Sequence, residues 1–154
     1  MRVDRLTLGL IGGVLVLVVV GLGSAAIVGR NAAPPDLGSP GGVALAYALA
    51  EQKGDGPTAW SLLGASTQAK ADRDRFLARA GNYRPANEYV SLESEKIDGD
   101  EATVTLVRSR RETGIFDSAY SYPETFRLVR EPAGWRITVP PDEYLLVAPP
   151  GGKP

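Results

Sequence analysis

The feature that most constrains this chain is an uncharged run from Leu6 to Val28, LTLGLIGGVLVLVVVGLGSAAIV, 23 residues long. As a helix it spans about 34 Å at roughly 1.5 Å per residue, enough to cross the hydrocarbon core of a bilayer. Gly9, Gly12, Gly13, Gly21 and Gly23 among a run of valines make a poor helix in water. In lipid the backbone has to hydrogen-bond to itself, and helix is the open choice. A cleaved signal peptide is the main rival, because Ser24, Ala25 and Ala26 supply small residues near the end of the run. Signal peptides usually have an apolar region of about 7–15 residues, shorter than this one, so the expectation is an uncleaved transmembrane helix at 6–28.

The amino terminus, Arg2 and Arg5 precede the span; only Arg30 follows closely, with no further basic residue until Lys53. That bias predicts residues 1–5 in the cytoplasm and the C-terminal domain outside the cell membrane. The lipid bilayer is then a partner through residues 6–28. Gly9 and Gly13 form a GxxxG pair, which suits helix dimerisation and equally suits tolerated glycine in a lipid-facing helix, so the oligomeric state stays open.

Residues 31–154 carry 14 basic and 17 acidic side chains, a net charge of about −3. Such a domain lacks the clustered basic surface that phosphate backbones require, and nucleic-acid binding is disfavoured. There are no cysteines, which excludes disulfides, thiolate metal sites and cysteine nucleophiles. There is no histidine either, so Ser-His-Asp and Cys-His catalysis and histidine zinc sites are excluded within the chain. Arginine outnumbers lysine 13 to 4, as in a GC-rich, bacterial genome.

Behind the span, residues 29–42 form a Pro/Gly linker, NAAPPDLGSPGG being its core. The domain is expected over 43–148, with 149–154 a disordered tail. Val43 to Lys53 places Val43, Ala46, Tyr47 and Ala50 on one helical face, and Gly54 stops the helix. Gly56-Pro57 starts a second, short helix with proline at its first position and Ala59, Trp60, Leu62 and Leu63 on its buried side. Asp72 to Ala80 gives a third, with Phe76, Leu77 and Ala80 as its apolar stripe. The period then changes to two. Tyr89 to Ile97 and Ala102 to Arg110 read as a hairpin around Asp98-Gly99, with Ala102, Val104 and Leu106 on one face. Tyr120 to Arg130, with Tyr120, Tyr122, Phe126 and Leu128 on one side, turns through Glu131-Pro132-Ala133-Gly134 into Trp135, Ile137 and Val139. Pro123 predicts an edge or a bulge in that third strand. The tail from Pro140 is not expected to continue the sheet far.

This order gives an α+β fold in which three helices pack on a curved antiparallel sheet of about four strands. AYALAEQKGDGPTAWSLLG, then DRDRFLARAG, a hairpin and a closing GWRITV resemble the nuclear transport factor two-like superfamily of cone-shaped domains. The likeness covers about residues 42–140 and is nearest in flavour to the extracytoplasmic, lumazine-binding-like and SnoaL-like subgroup behind a single membrane helix. The resemblance implies that Gly54 and Asp55 end the first helix, Trp60, Leu62 and Leu63 pack the second, Phe76 pins the third and Trp135 closes the sheet. Enzymes of that superfamily place an aspartate, a histidine or paired carboxylates inside the cone, and this chain departs from that pattern in having no histidine.

Thr67-Gln68-Ala69-Lys70 has the spacing of a serine-lysine nucleophile motif with threonine as the hydroxyl, and reads better as a solvated helix end. Asp98, Asp100 and Glu101 lack the alternating ligands of a calcium loop and fit a polar hairpin tip. No metal and no cofactor is expected. The richest segment is RSRRETGIFDSAYSY, Arg108 to Tyr122, joining the second and third strands. Arginine and tyrosine combine a large contact area with a polar handle, and they concentrate at binding surfaces. Arg108, Arg110, Arg111, Phe116, Tyr120 and Tyr122 are the candidate ligand- or partner-binding residues, beside an exposed-looking Ile115; the bland alternative is a flexible loop. Asp117 is a candidate carboxylate base only if it points into the cone, where burial would raise its pKa. The expected function is a membrane-anchored, extracytoplasmic, non-catalytic module that binds another cell-envelope protein. The alternatives are a small apolar-ligand binder and an isomerase- or hydrolase-type enzyme using a cone carboxylate.

Overall fold

The computed structural model describes residues 34–82, 88–110 and 120–141. The expected span at 6–28, its cytoplasmic flank 1–5, the whole 111–119 connection with Arg111, Ile115, Phe116 and Asp117, and residues 142–154 lie outside the described residues. Among the described residues no helix is long and apolar enough to cross a membrane.

Helix α1 (Pro40–Lys53) begins three residues before the boundary expected at residue 43. Ser39 is extended (φ −110°, ψ 149°), and its hydroxyl accepts from the Gly42 N–H at 3.0 Å, so Ser-Pro acts as a helix start rather than as linker. Gly41 and Gly42, too, serve packing instead of flexibility. A Cβ on Gly42 would run into the Asp36 carbonyl, and one on Gly41 into the Glu95 carboxylate, which accepts the Gly41 N–H at 2.6 Å. At the other end Gly54 is left-handed (φ 68°) and donates to Glu51 O, while Asp55 donates to Ala50 O; this paired closure satisfies the last carbonyls. Val43, Tyr47 and Ala50 of the expected face are buried and Ala46 half-buried, but Ala44, Leu45 and Ala48 are buried as well, so α1 is enclosed on more than the one expected face.

Helix α2 (Gly56–Ser61) follows at once, capped by Asp55, whose carboxylate accepts from Thr58 N–H at 3.1 Å. Pro57 stands second in this helix, not first. A one-turn helix α3 (Ala65–Gln68) then raises the number of helices among the described residues from the expected three to four. It is tied to the end of the sheet: Ala65 N–H donates to Glu131 Oε1, and the Thr67 hydroxyl donates to Thr138 O at 2.9 Å. The expectation of a solvated helix end fails at Thr67, which is 8% exposed, although Lys70 is exposed. Helix α4 (Arg73–Asn82) buries Phe76 and Ala80, with Phe76 edge-on to Trp60 at 5.3 Å between centroids. Arg79 lies over Phe76 and meets Glu51 of α1 at 3.3 Å.

The four strands β1 (Glu88–Asp98), β2 (Glu101–Arg110), β3 (Tyr120–Glu131) and β4 (Gly134–Val139) form one antiparallel meander in chain order. Asp98 pairs with Glu101, so the two-residue loop is Gly99-Asp100, one position later than expected, with Gly99 at φ 60°. Positive φ at the first loop residue suits the twist of a hairpin and suits glycine. The closing pair of a two-residue hairpin is a hydrogen-bonded one, so the even-numbered residues of β2 turn their N–H and C=O groups to β3. In β3 the odd-numbered residues then face β4, in agreement with Arg130 N–H donating to Asp100 O on the β2 side.

Pairing with β4 reaches only as far as Arg127↔Val139, leaving Tyr120 to Phe126 as an edge among the described residues. Pro123 lies in that stretch, with its missing N–H on the unpaired side, as expected of proline in a sheet. Beyond β4 the 62–64 segment adds a short parallel bridge: Ile137 N–H donates to Leu62 O, and Gly64 N–H donates to Ile137 O.

One face of this sheet takes the helices. Ala102, Val104 and Leu106 of β2, Phe126 and Leu128 of β3, and Trp135 and Ile137 of β4 are buried with Val43, Tyr47 and Leu63. Tyr47 meets Phe126 edge-on at 5.9 Å. In β1 the register shifts between Leu92 and Ser94. A bulge there keeps Val90 and Leu92 facing the helices before it and brings Glu95 to the same face after it, where it meets the start of α1.

Candidate functional site

The inward row of β2 runs Ala102, Val104, Leu106, Arg108, and its fourth member is as buried as the others: Arg108 is 3% exposed. Cross-strand partners share a face, so Arg108 looks into the same layer as Val90 on β1 and Tyr122 on β3. An isolated guanidinium there would be costly, and the strands on either side supply the counter-charge. Nε and Nη2 donate to the two carboxylate oxygens of Glu124 at 2.8 and 2.9 Å, a planar two-point contact, and Nη1 donates to Glu88 Oε2 at 3.3 Å. The Glu88 and Glu124 side chains are 9% and 13% exposed. Two carboxylates and one guanidinium thus continue the apolar layer toward the end of the sheet where β2 stops and β3 begins.

Beyond the cluster the layer opens to solvent. Tyr122 and Tyr120 follow Glu124 along the inward row of β3 and are 37% and 46% exposed, with their rings stacked at 5.9 Å and 14°. Partial burial pushes the Tyr122 phenol above its ordinary value of 10.0, Arg108 opposes that shift, and Glu124 and Glu88 reinforce it. Arg110, the register partner of Tyr120, is exposed at the end of β2.

Of the six candidate residues, the fold therefore brings Arg108, Arg110, Tyr120 and Tyr122 to one end of one face; Arg111 and Phe116 lie outside the described residues. Arg108 departs from the sequence reading. It is a buried structural cation instead of a surface contact, because alternation from Ala102 carries it inward. Sequence reasoning missed Glu88 and Glu124. Glu124 was legible as the charged member of the row Tyr122, Glu124, Phe126, Leu128, a position that demands a cation opposite. Glu88 depended on the register of the first hairpin. Asp98, Asp100 and Glu101 occupy the tip of the β1–β2 hairpin, as expected.

The opposite face of the sheet is not covered by any described helix. Near the hairpin ends it holds an open depression of about 470 Å³, bordered by Lys96, Asp98, Glu101, Thr103, Arg127 and Thr138.

No protein-family model matches the chain, and no curated protein matches it. Among solved structures, it is similar to RPA3114, a SEC-C motif containing protein from Rhodopseudomonas palustris: TM-score 0.50, 14% identity, covering 68% of this chain and 78% of that one. A calcium/calmodulin dependent protein kinase II association domain protein from Xanthomonas campestris aligns at TM-score 0.41 and 12% identity, covering 59% and 74%. At these identities the first likeness speaks to the α+β fold alone.

Proposed function

We propose that this chain is a membrane-anchored, extracytoplasmic module without catalytic activity that binds another protein of the cell envelope through the tyrosine end of its sheet. The observation that carries the reading is the stacked, part-exposed Tyr120–Tyr122 pair beside exposed Arg110, seated on the Glu88–Arg108–Glu124 cluster. Large aromatic side chains held in one geometry lose little freedom on binding, and a rigid base beneath them favours a protein surface as partner. Both oxygens of Glu124 are committed to Arg108, and Glu88 shares the same guanidinium, which supports binding over proton transfer at these carboxylates. The uncharged apolar run at 6–28 supports the location. The order of helices and then meander supports membership of the nuclear transport factor two-like superfamily.

The test is site-specific photocrosslinking in cells, with the probe at Tyr120 in the full-length chain. The reading expects one discrete adduct that disappears when Tyr122→Ala is added and persists when the probe is competed only by changes on α4. A uniform smear of adducts, or an adduct indifferent to Tyr122, overturns it. Protease added to intact cells should cut within 43–148; protection of that region would overturn the outward location.

A further inference from the structure

The open face of the sheet carries a feature unrelated to the tyrosine end. Lys96 on β1, Thr103 on β2 and Arg127 on β3 are consecutive register partners, so their side chains rise from one cross-strand row on the same face. Lys96↔Thr103 is a hydrogen-bonded pair and Thr103↔Arg127 a non-hydrogen-bonded one in the ladder phase set by the Gly99-Asp100 loop. The two cations therefore start about 10 Å apart across the strands with a hydroxyl between them. Side chains of that length can close on one group above Thr103. All three residues are exposed, and they border the 470 Å³ depression.

Neither cation is engaged: among the described residues no ion pair involves Lys96 or Arg127, whereas Arg79 and Arg108 each have carboxylate partners. Thr138 lines the same depression, but its hydroxyl donates to Arg127 O at 3.1 Å and so stiffens the backbone beneath the guanidinium. Asp98 and Glu101, the next pair toward the hairpin tip, lie on the same face and border the same hollow.

We propose that this depression is a binding site for a single phosphate group, held between the Lys96 ammonium and the Arg127 guanidinium with the Thr103 hydroxyl donating to the same group. Arginine matches tetrahedral oxyanions with a two-point fork, and lysine supplies a point charge. The acidic pair at the hairpin end repels a second anionic group, so an extended polyanion is disfavoured and the remainder of the ligand is neutral or donor-rich, such as hydroxyls. A soluble phosphomonoester and a phospholipid headgroup share this chemistry.

The experiment uses the full-length, isotope-labelled chain in zwitterionic detergent, following the amides of Lys96, Thr103 and Arg127 by NMR. One arm adds inorganic phosphate, the other replaces part of the detergent mixture with phosphatidylglycerol, and chloride at matched ionic strength is the control. Saturable shifts at those three amides, weakened at least tenfold in Lys96→Ala and in Arg127→Ala and unchanged in Lys70→Ala, are expected. Response to inorganic phosphate identifies a soluble ligand, and response to phosphatidylglycerol alone identifies a headgroup. No saturable shift in either arm, shifts reproduced by chloride, or shifts that survive both substitutions overturn the proposal. Both substituted positions are exposed, so loss of folding does not mimic the expected result.

Discussion

Arg108 and Arg127 sit on adjacent strands of the same sheet and point to opposite faces, and they show how differently one residue type can be used. Arg108 is 3% exposed, lies among apolar neighbours and makes a two-point contact with Glu124 and a third contact with Glu88. Arg127 is exposed on the uncovered face, opposite the Thr103 hydroxyl, and makes no ion pair among the described residues. The first arginine is part of the domain's interior and the second is available to a ligand. Their difference follows from parity along the strand: even positions of β2 and β3 face the helices, odd positions face away. Arginine content by itself is therefore a poor guide to a binding surface here.

The largest expected effect is at Arg108. Arg108→Ala leaves the largely enclosed Glu88 and Glu124 without their cation, and loss of one member of a buried ion cluster costs up to about 3–5 kcal/mol. Chemical denaturation of the variant should show that loss. Replacing all three members, Arg108→Met with Glu88→Leu and Glu124→Leu, should recover most of it, because no buried charge is then left unpaired. If Arg108→Ala is as stable as the parent chain, the cluster is not part of the interior and the contrast with Arg127 collapses.

The two arginines also mark where sequence reading stops. The existence of α1, the period of α4, the hairpin at residues 98–101 and the buried set Ala102, Val104, Leu106, Phe126, Leu128, Trp135 and Ile137 were legible, because alternation and helical spacing are local signals; the enclosure of α1 on more than one face was not. The start of α1 was misread because SPGG has the composition of a spacer, whereas the Ser39 cap and the tight packing of Gly41 and Gly42 depend on Asp36 and Glu95. Helix α3 has one turn, too short to show a period, and its Thr67 is buried by a bond to Thr138, 71 residues away in sequence. The Arg108 cluster spans three strands. Its recognition requires the register of both hairpins, and the second is joined by the 111–119 connection, whose length carries no register rule.

A smaller effect is expected on the helix-covered side at Thr67. Thr67→Val keeps the shape but removes the hydroxyl that joins α3 to the end of β4, leaving a part-buried carbonyl of Thr138 short of a donor. Such a loss costs about 1 kcal/mol, well below that of Arg108, and a shift in the urea midpoint measures it. An unchanged midpoint would mean that the Ala65–Glu131 bond and the Gln68 side chain, which donates to Trp60 O and Leu63 O, hold α3 without it.

Asp55 tests whether a charge satisfied in the open behaves like the enclosed cluster. Hydrogen bonds from the Thr58 side chain and backbone hold its carboxyl below the ordinary value of 3.8, and the group is fully exposed. A folded-state pKa below the unfolded one means that the cap's contribution is complete above the unfolded value and is lost as pH falls through the folded value. Asp55→Asn should therefore reduce the acid dependence of thermal stability below about pH 4, the ordinary aspartate range, and change little at neutral pH. Identical acid profiles for the two proteins would remove Asp55 from the capping argument.

The smallest expected effect is the one that completes the comparison. Arg127→Ala removes a side chain that is exposed and makes no ion pair among the described residues, so its unfolding free energy should lie within about 0.5 kcal/mol of the parent chain. The bond from Thr138 to Arg127 reaches the backbone carbonyl and survives the substitution. Lys96→Ala should be equally mild, and the double variant should show no coupling, since two like charges about 10 Å apart on an exposed face interact weakly through solvent. A loss approaching that of Arg108→Ala would mean that Arg127 is part of the structure and not held open for a ligand. Near-neutral stability together with the loss of phosphate-dependent shifts would separate the two arginines by role as well as by face.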